Sequence, residues 1–472
     1  MIMRRRHFIV FLSASLTACA GVRKSAPPEA IVQAPPAWRS MAPIDSTSLQ
    51  TDWWQSFDDP TLNALVEEAL SHSDDIAIAV TRVQEARAAF RYSHAQQLPN
   101  VRAALEGGRD RDVNPGFGIA EQQSAFEGLI EASFDLDLFG RLKASSEAAR
   151  SALLATQDAQ AIVRLSVTAS LVSGYFTMLA LDARLSIVRK TLDVRRDELR
   201  VEQRRFDVGY SNALDLARAQ AEVASTEPLI PSLELAIAKT ENGLSILLGR
   251  APGPVARGRT FDSLLLPVVP LSLPSAVLRR RPDVAAAEAR LAATDHSLDS
   301  ARAAFLPDIQ LGVTGGFVGS TLVDTSPVRI WSIGSSILAP IFDAGRLQAQ
   351  QDAATAQRDE AAFAYRKTAL QAFREVEDDL AAVGRTREQF EALSRERDIL
   401  ARTLKLATRR YREGYAAYLD QLDAQRNLLS SELSLVQSRL DRFNATVSLI
   451  QALGGGWSPD AEPRPSDARQ IN

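Results

Sequence analysis

The chain has 472 residues, of which 46% are hydrophobic and 24% charged, and it carries a formal net charge of −4. Such a balance provides no basic stripe for nucleic acid, and a single cysteine rules out any disulfide framework. The length suits roughly three average domains or one elongated architecture. Aromatic residues make up only 6%, while Ala, Leu, Arg, Gln and Glu dominate long stretches, a mixture that favours long helices.

At the N-terminus Arg4, Arg5 and Arg6 precede a short apolar run from Phe8 to Ala18. A basic start and a run too short to span a bilayer predict a secretory signal over residues 1–18. The run ends in Leu16-Thr17-Ala18-Cys19, which resembles the lipobox of bacterial lipoproteins. That resemblance makes Cys19 the first mature residue and the site of a lipid anchor carrying fatty acyl chains such as palmitate; the alternative is a buried or free thiol. Residue 20 is Ala rather than Asp, which by the same resemblance favours the outer membrane. Residues 19–52, with Pro27-Pro28 and Pro35-Pro36, are expected to form an extended tether.

Residues 53–250 form the first of two repeats. A helix is predicted from about Pro60 to Gln96, opened by Asp58-Asp59-Pro60. Two strands follow within about 99–138. The first is weak (Val101, Ala103, Leu105). In the second, Ile130, Ala132, Phe134, Leu136 and Leu138 alternate with Glu131, Ser133, Asp135 and Asp137. The stretch GGRDRDVNPGFG between them is turn-rich. A helix then runs from Arg141, with Leu171, Met178, Leu185, Leu192, Leu199 and Phe206 at steps of seven. At about 1.5 Å per residue it is about 100 Å long, and the heptads predict knobs-into-holes packing. The chain reverses at Gly209. The returning helix carries Leu216, Val223, Ile230, Ile237 and Leu244, and Pro228 and Pro231 must kink it. Residues 251–280 are a linker.

Residues 281–454 repeat the unit. RRFDVGYSNALDLARAQ at 204–220 returns as RRYREGYAAYLDQLDAQ at 409–425, identical at eight of seventeen positions with an offset of 205. Gly140-Arg141-Leu142 and Leu248-Gly249 recur at the same offset. The second copy predicts a helix from Pro282 to about Phe305 and two strands within about 307–341. Ile309, Leu311 and Val313 mark one strand. Trp331, Ile333, Ile337 and Ile341 mark the other, opposite Ser332, Gly334 and Ser336. The helical hairpin turns at Gly414, with Leu422, Leu429, Val436, Phe443 and Ile450 at steps of seven. Residues 455–472 are a polar tail.

After the signal no run of 18 apolar residues remains, so a membrane crossing has to use strands closed into a barrel. One chain offers four strands, whereas closed barrels need about eight or more. Two chains would give eight strands and a filled interior, three would give twelve and a lumen. A soluble half-buried hairpin would produce the same alternation.

WWQSFDDPTLNALVEEAL at 53–70, FDLDLFGRLKASSEAA at 134–149, LRRRPDVAAAEARLAA at 278–293 and the repeated RRF/YxxGY…LD…AQ together resemble the TolC-like outer-membrane factor family, in its lipoprotein branch. The resemblance covers essentially the whole mature chain. It implies a mainly α fold with a small β part. Tandem helical hairpins form a trimeric α-barrel that extends into the periplasm, and four strands per chain complete a twelve-stranded transmembrane barrel. The implied function is the outer-membrane channel of a tripartite efflux system, a passive conduit for drugs or other small molecules. The implied partners are two further copies, a periplasmic adaptor (membrane fusion protein), an inner-membrane pump and outer-membrane lipid. By the same resemblance Asp420 and Asp423 form an aspartate ring at the periplasmic entrance, with Asp215 and Tyr411 in the network that shuts it. Gly209, Tyr210, Gly414 and Tyr415 form the adaptor-docking tip. Ala416 departs from members that carry an arginine there to clamp the neighbouring chain, so that either Arg410, Arg412 or Asp215 holds the closed state or that state is held less firmly. Two alternatives are a channel for type I protein secretion and a lipid-anchored coiled-coil strut that does not conduct.

An enzyme has little support. His7 lies in the signal, and His72, His94 and His296 are scattered without metal-ligand spacing. No phosphate loop or serine elbow is present, and no cofactor or metal is expected.

Overall fold

The structure, a computed structural model, describes residues 27–39, 49–114, 119–271, 273–321 and 327–458. Cys19 and the expected signal lie outside the described residues, as does the tail beyond 458. The first repeat consists of α1 (Pro60–His72), α2 (Asp74–Ala95), β1 (Asn100–Asn114), β2 (Ile119–Asp135), α3 (Arg141–Asp207), α4 (Ala213–Thr226) and α5 (Leu229–Leu247). A short helix α6 (Pro274–Arg280) leads into the second, made of α7 (Pro282–Ala303), β3 (Asp308–Ser320), β4 (Val328–Leu338), α8 (Arg346–Arg412) and α9 (Tyr418–Ala452). The two long helices each have 67 residues.

Several expectations need correction. The single helix predicted from Pro60 to Gln96 is two helices. Ser73 adopts an extended conformation between them (φ −62, ψ 127), closing α1 through its N–H to the Ala69 carbonyl at 2.9 Å. The break is fixed by packing, because Gly249 lies so close that a Cβ there would stand 2.1 Å from the His72 carbonyl oxygen. The stretch GGRDRDVNPGFG is not chiefly a turn, since β1 continues to Asn114. The pairing of β1 with β2 runs from Asn100↔Ser133 to Asn114↔Ile119. Gly315 and Gly316 likewise lie inside β3, where a Cβ on Gly316 would meet the Gly128 carbonyl oxygen at 2.0 Å. Leu136, Leu138 and Ile341 fall beyond the ends of β2 and β4.

The sheet has the order β1-β2-β3-β4, antiparallel throughout. Residues paired across it share a face. Val101, Ile130, Val313 and Ile333 lie on one side. Arg102, Glu131 and Thr314 lie on the other, where Arg102 and Glu131 form an ion pair. Strands β1 and β4 are open edges within the described chain. All four strands join their helices at the same end of the sheet.

The main core sits midway along the long helices. Phe57 packs on Phe176 with ring centroids 4.9 Å apart, and Phe176 on Phe443 at 4.7 Å. The buried Asp59 caps α1, accepting from Thr61 N at 2.9 Å, and also receives the Tyr175 hydroxyl at 2.8 Å. Part of α3 is long and apolar enough to cross a membrane although it holds no unbroken run of 18 apolar residues; half of that stretch is buried, and α3 places Leu171, Val172, Phe176 and Met178 in the aromatic core. Of the expected tether, Trp38 is buried against Phe373, and the Arg39 N–H donates to Glu377 at 2.9 Å. The kink expected at Pro228 and Pro231 is an interruption, Glu227-Pro228, separating α4 from α5. The Glu227 carbonyl, denied the N–H of Pro231, accepts from Ile230 at 3.2 Å instead. Its counterpart α9 runs unbroken for 35 residues.

Candidate functional site

The ends of α3 and α8 have the same construction. Gly209 and Gly414 hold φ of +79° and +81°. Tyr210 N–H bonds back to Arg205 O at 2.7 Å and Tyr415 N–H to Arg410 O at 2.8 Å, while each glycine N–H reaches Phe206 O or Tyr411 O at 2.9 and 3.0 Å. This pair of bonds is a Schellman ending, which needs the left-handed region that glycine enters without a Cβ penalty. Arginines fill both last turns (Arg204, Arg205; Arg409, Arg410, Arg412), complementing the negative ends of the helix dipoles. Tyr210 and Tyr415 then project outward, 87% and 74% exposed.

The return helices start differently. Asn212 caps α4 by accepting from Asp215 N at 2.9 Å, and its amide donates to the Asp215 carboxylate at 2.9 Å. Asp215 also pairs with Arg218 at 3.0 Å. In the second repeat the cap is Ala417, which has no side-chain acceptor. Only the reverse bond forms, from Ala417 N–H to Asp420 Oδ2 at 3.1 Å. Asp423 stands 3.6 Å from Arg426 and its side chain is 57% exposed. Asp420 and Asp423 thus lie on the outward face of α9, while Tyr418, Gln421, Leu422 and Gln425 are turned into the chain.

Tyr411 does not meet Asp215. Its hydroxyl donates to the buried Glu202 of the first repeat and accepts from Arg205 at 2.7 Å, and the Arg205 guanidinium lies 5.0 Å from the ring centroid. Glu202 also receives Ser211 Oγ at 3.1 Å. The Tyr418 ring packs 5.3 Å from Tyr411. Burial, reinforced by Glu202, pushes the Tyr411 hydroxyl well above its ordinary pKa and keeps it a donor; burial does the same for Tyr418. Of the arginines expected to compensate for Ala416, Arg410 reaches only the Tyr415 carbonyl, at 3.4 Å.

A second polar layer, deeper along the hairpins, was missed in the sequence. Arg195 pairs with Glu222 at 2.9 Å, and Arg426 of the second repeat binds the same carboxylate. Arg195 also donates to the Glu222 carbonyl at 3.1 Å and to Thr226 Oγ1. Glu198 accepts from Gln421 Nε2 at 2.7 Å and from Gln425 Nε2 at 2.5 Å, and burial raises its pKa. The signal was present. Arg195 and Glu202 are seven residues apart, each three after a heptad leucine (Leu192, Leu199), so charged residues occupy seam positions that ordinarily carry apolar side chains.

Among the described residues no group of His, Cys, Asp or Glu is arranged to hold a metal ion.

Long rods hung from one end of a sheet with one greasy face define a channel subunit of the outer membrane. The chain belongs to the outer membrane efflux protein family, whose sequence profile matches residues 65–250 and 273–455. It is 33% identical over 433 residues to the probable efflux pump outer membrane protein TtgC of Pseudomonas putida, spanning 89% of this chain and 88% of that one. It is equally 33% identical over 408 residues to the cation efflux system protein CusC of Escherichia coli, covering 86% and 88%. Among solved structures, the outer-membrane channel OprN superposes with a TM-score of 0.85 at 29% identity, over 93% of this chain and all (100%) of that one. The open state of the Neisseria gonorrhoeae MtrE channel gives 0.82 at 27% identity, over 93% and 100%. The protein is an outer-membrane efflux channel of a tripartite pump, reaching into the periplasm.

Proposed function

We propose that three copies of this chain close a twelve-stranded barrel continuous with a helical tunnel, and that this trimer passes small molecules outward from an adaptor and an inner-membrane pump. The observation carrying the proposal is the four-stranded sheet with open edges at β1 and β4. Unpaired edge groups cannot stay unsatisfied in hydrocarbon, so each β1 edge pairs with a neighbour's β4. A non-catalytic role follows, with the pump supplying the energy. In this assembly Asp420 and Asp423 ring the periplasmic entrance. The Tyr411–Glu202–Arg205 contact stiffens it within each chain, and Asp215 anchors the neighbouring hairpin start. Gly209, Tyr210, Gly414 and Tyr415 present the tip to the adaptor. Cys19 carries the lipid that holds the tether at the inner leaflet. The decisive test is electron microscopy and planar-bilayer recording of the detergent-purified protein: trimeric particles with stepwise conductance are expected, and a non-conducting monomer refutes the proposal. Mass spectrometry of the mature N-terminus checks acylation of Cys19.

A further inference from the structure

The charges of the sheet are sorted by face. On the face of Val101, Ile130, Val313 and Ile333 the charged side chains among the described residues are Arg109, Arg111 and Arg329, all exposed. Glu106, Glu127, Glu131, Asp135 and Asp308 all belong to the opposite face. Resting on the barrel proposed above, the first face is the lipid-facing one, since its lower part is apolar and the other carries the carboxylates.

Height along the strands adds to this. Arg109 stands eight residues above Val101 on β1, and Arg329 eight above Ile337 on β4. At about 3.4 Å per residue that is about 27 Å along a strand. Strands tilted by about 40° lift Arg109 and Arg329 by about 20 Å, and Arg111 by about 26 Å, reaching the outer margin of an apolar band about 25 Å tall. On the same face Phe317 is paired directly opposite Arg329, the 81% exposed Trp331 lies two residues below that arginine, and Phe126, with its ring centroid 6.3 Å from that of Phe317, lies one alternate position below the row of Arg109. Such aromatics mark the interface between hydrocarbon and headgroups. With the Gln122 amide oxygen turned toward it, Arg109 is met at 2.6 Å, which holds the guanidinium on this face.

An arginine on a lipid-facing surface is costly unless it meets an anion, and its fork matches phosphate oxygens in a bidentate manner. All the helices leave from the other end of the sheet, so this margin is at the outer leaflet. We infer that Arg109, Arg111 and Arg329 form a collar that binds the phosphates of a phosphorylated glycolipid of the outer leaflet, lipopolysaccharide.

The test titrates purified protein with lipopolysaccharide and with the same lipid after enzymatic removal of its phosphates, reading bound lipid by native mass spectrometry. Trimer formation and conductance are measured in parallel. The wild type is expected to prefer the phosphorylated lipid by about tenfold or more, and the triple variant Arg109→Gln, Arg111→Gln, Arg329→Gln to lose that preference while conducting as before. A conducting wild type that binds both lipids equally, or a variant that keeps the preference, overturns the collar alone. A wild type that forms no pore overturns the barrel and the collar with it.

Discussion

Tyr411 donates its hydroxyl hydrogen to Glu202, joining the final turns of two duplicated helices of 67 residues each. The carboxylate is 2% exposed and takes further bonds only from Arg205 at 3.3 Å and Ser211 at 3.1 Å. The bond ties repeat to repeat within one chain at the tips of its two helical hairpins. Tyr411→Phe keeps the ring against Tyr418 and removes the donor. The cost of about 1–3 kcal/mol for a buried acceptor losing a partner falls locally on the tip. Larger single-channel conductance in planar bilayers is expected, with little change in overall thermal stability.

Asp420 and Asp423 separate two effects. Because Asp420 caps α9 through Ala417 N–H at 3.1 Å, replacing it by alanine costs about 1 kcal/mol of helix end in addition to its charge. The pair Asp420→Asn and Asp423→Asn keeps a cap acceptor and removes only charge. Cation preference, read from reversal potentials in a salt gradient, is expected to fall in both the Asn and the Ala pairs. Conductance should rise more in the Ala pair; unaltered reversal potentials in both argue against an entrance ring.

Two glycines with similar backbone angles should behave very differently. Gly209, at φ +79°, has no atoms within 4 Å of a would-be Cβ, so Gly209→Ala costs about 1 kcal/mol of backbone strain. Gly249, at φ +69°, would press its Cβ to 2.1 Å from the His72 carbonyl oxygen. Gly249→Ala should therefore separate α5 from the break between α1 and α2 and lower the yield of folded protein severely. Thermal melts of the purified variants check both.

Asp379 gives a pH signature. Burial, with Glu375 and Asp378 nearby and only Arg281 opposing, raises its pKa from 3.8 to about 6. Between those values the folded state holds more protons than the unfolded one, so this group's contribution to stability falls as pH rises through the window. Asp379→Asn is expected to raise stability above pH 6 by about 1–2 kcal/mol per chain, after screening by nearby solvent. The gain should vanish below about pH 4, where the wild-type carboxyl is protonated in both states. Melting curves across this range test the sign.

The helical rods were legible because heptads are long, repeated signals: Leu171, Met178, Leu185 and Leu192 are buried along α3 as the spacing predicts, whereas Phe206 at the end of the same series is exposed. The basal halves of the strands were legible for a similar reason, since Ile130, Ala132 and Phe134 alternate against acids and serine. The outer halves were hidden because Arg109 and Arg111 stand above the apolar band, where polar composition reads as a turn. The break at Ser73 left a local trace, since Ser73 stands at the N-cap of α2 with Asp74 and Asp75 in its first turn, but the close approach of Gly249, far along the chain, lies in no local window. The seam charges Arg195 and Glu202 are masked by the leucines three residues before them, because an apolar heptad carries the stronger periodic signal. Asp215 and Tyr411, joined through a resemblance, find different partners within the chain because Asn212 and Arg218 satisfy the carboxylate locally.

The interruption at Glu227-Pro228 has no equivalent in α9. A continuous rod resists bending along its whole length, whereas one jointed partway concentrates its compliance at the joint. Here both residues of the joint keep right-handed helical angles, and Arg195 and Arg196 of α3 bond to Thr226 and, at 2.7 Å, to Glu227, so the joint is a bend clasped to its partner helix. Duplication supplied two similar rods, and two prolines set a fixed bend into one of them.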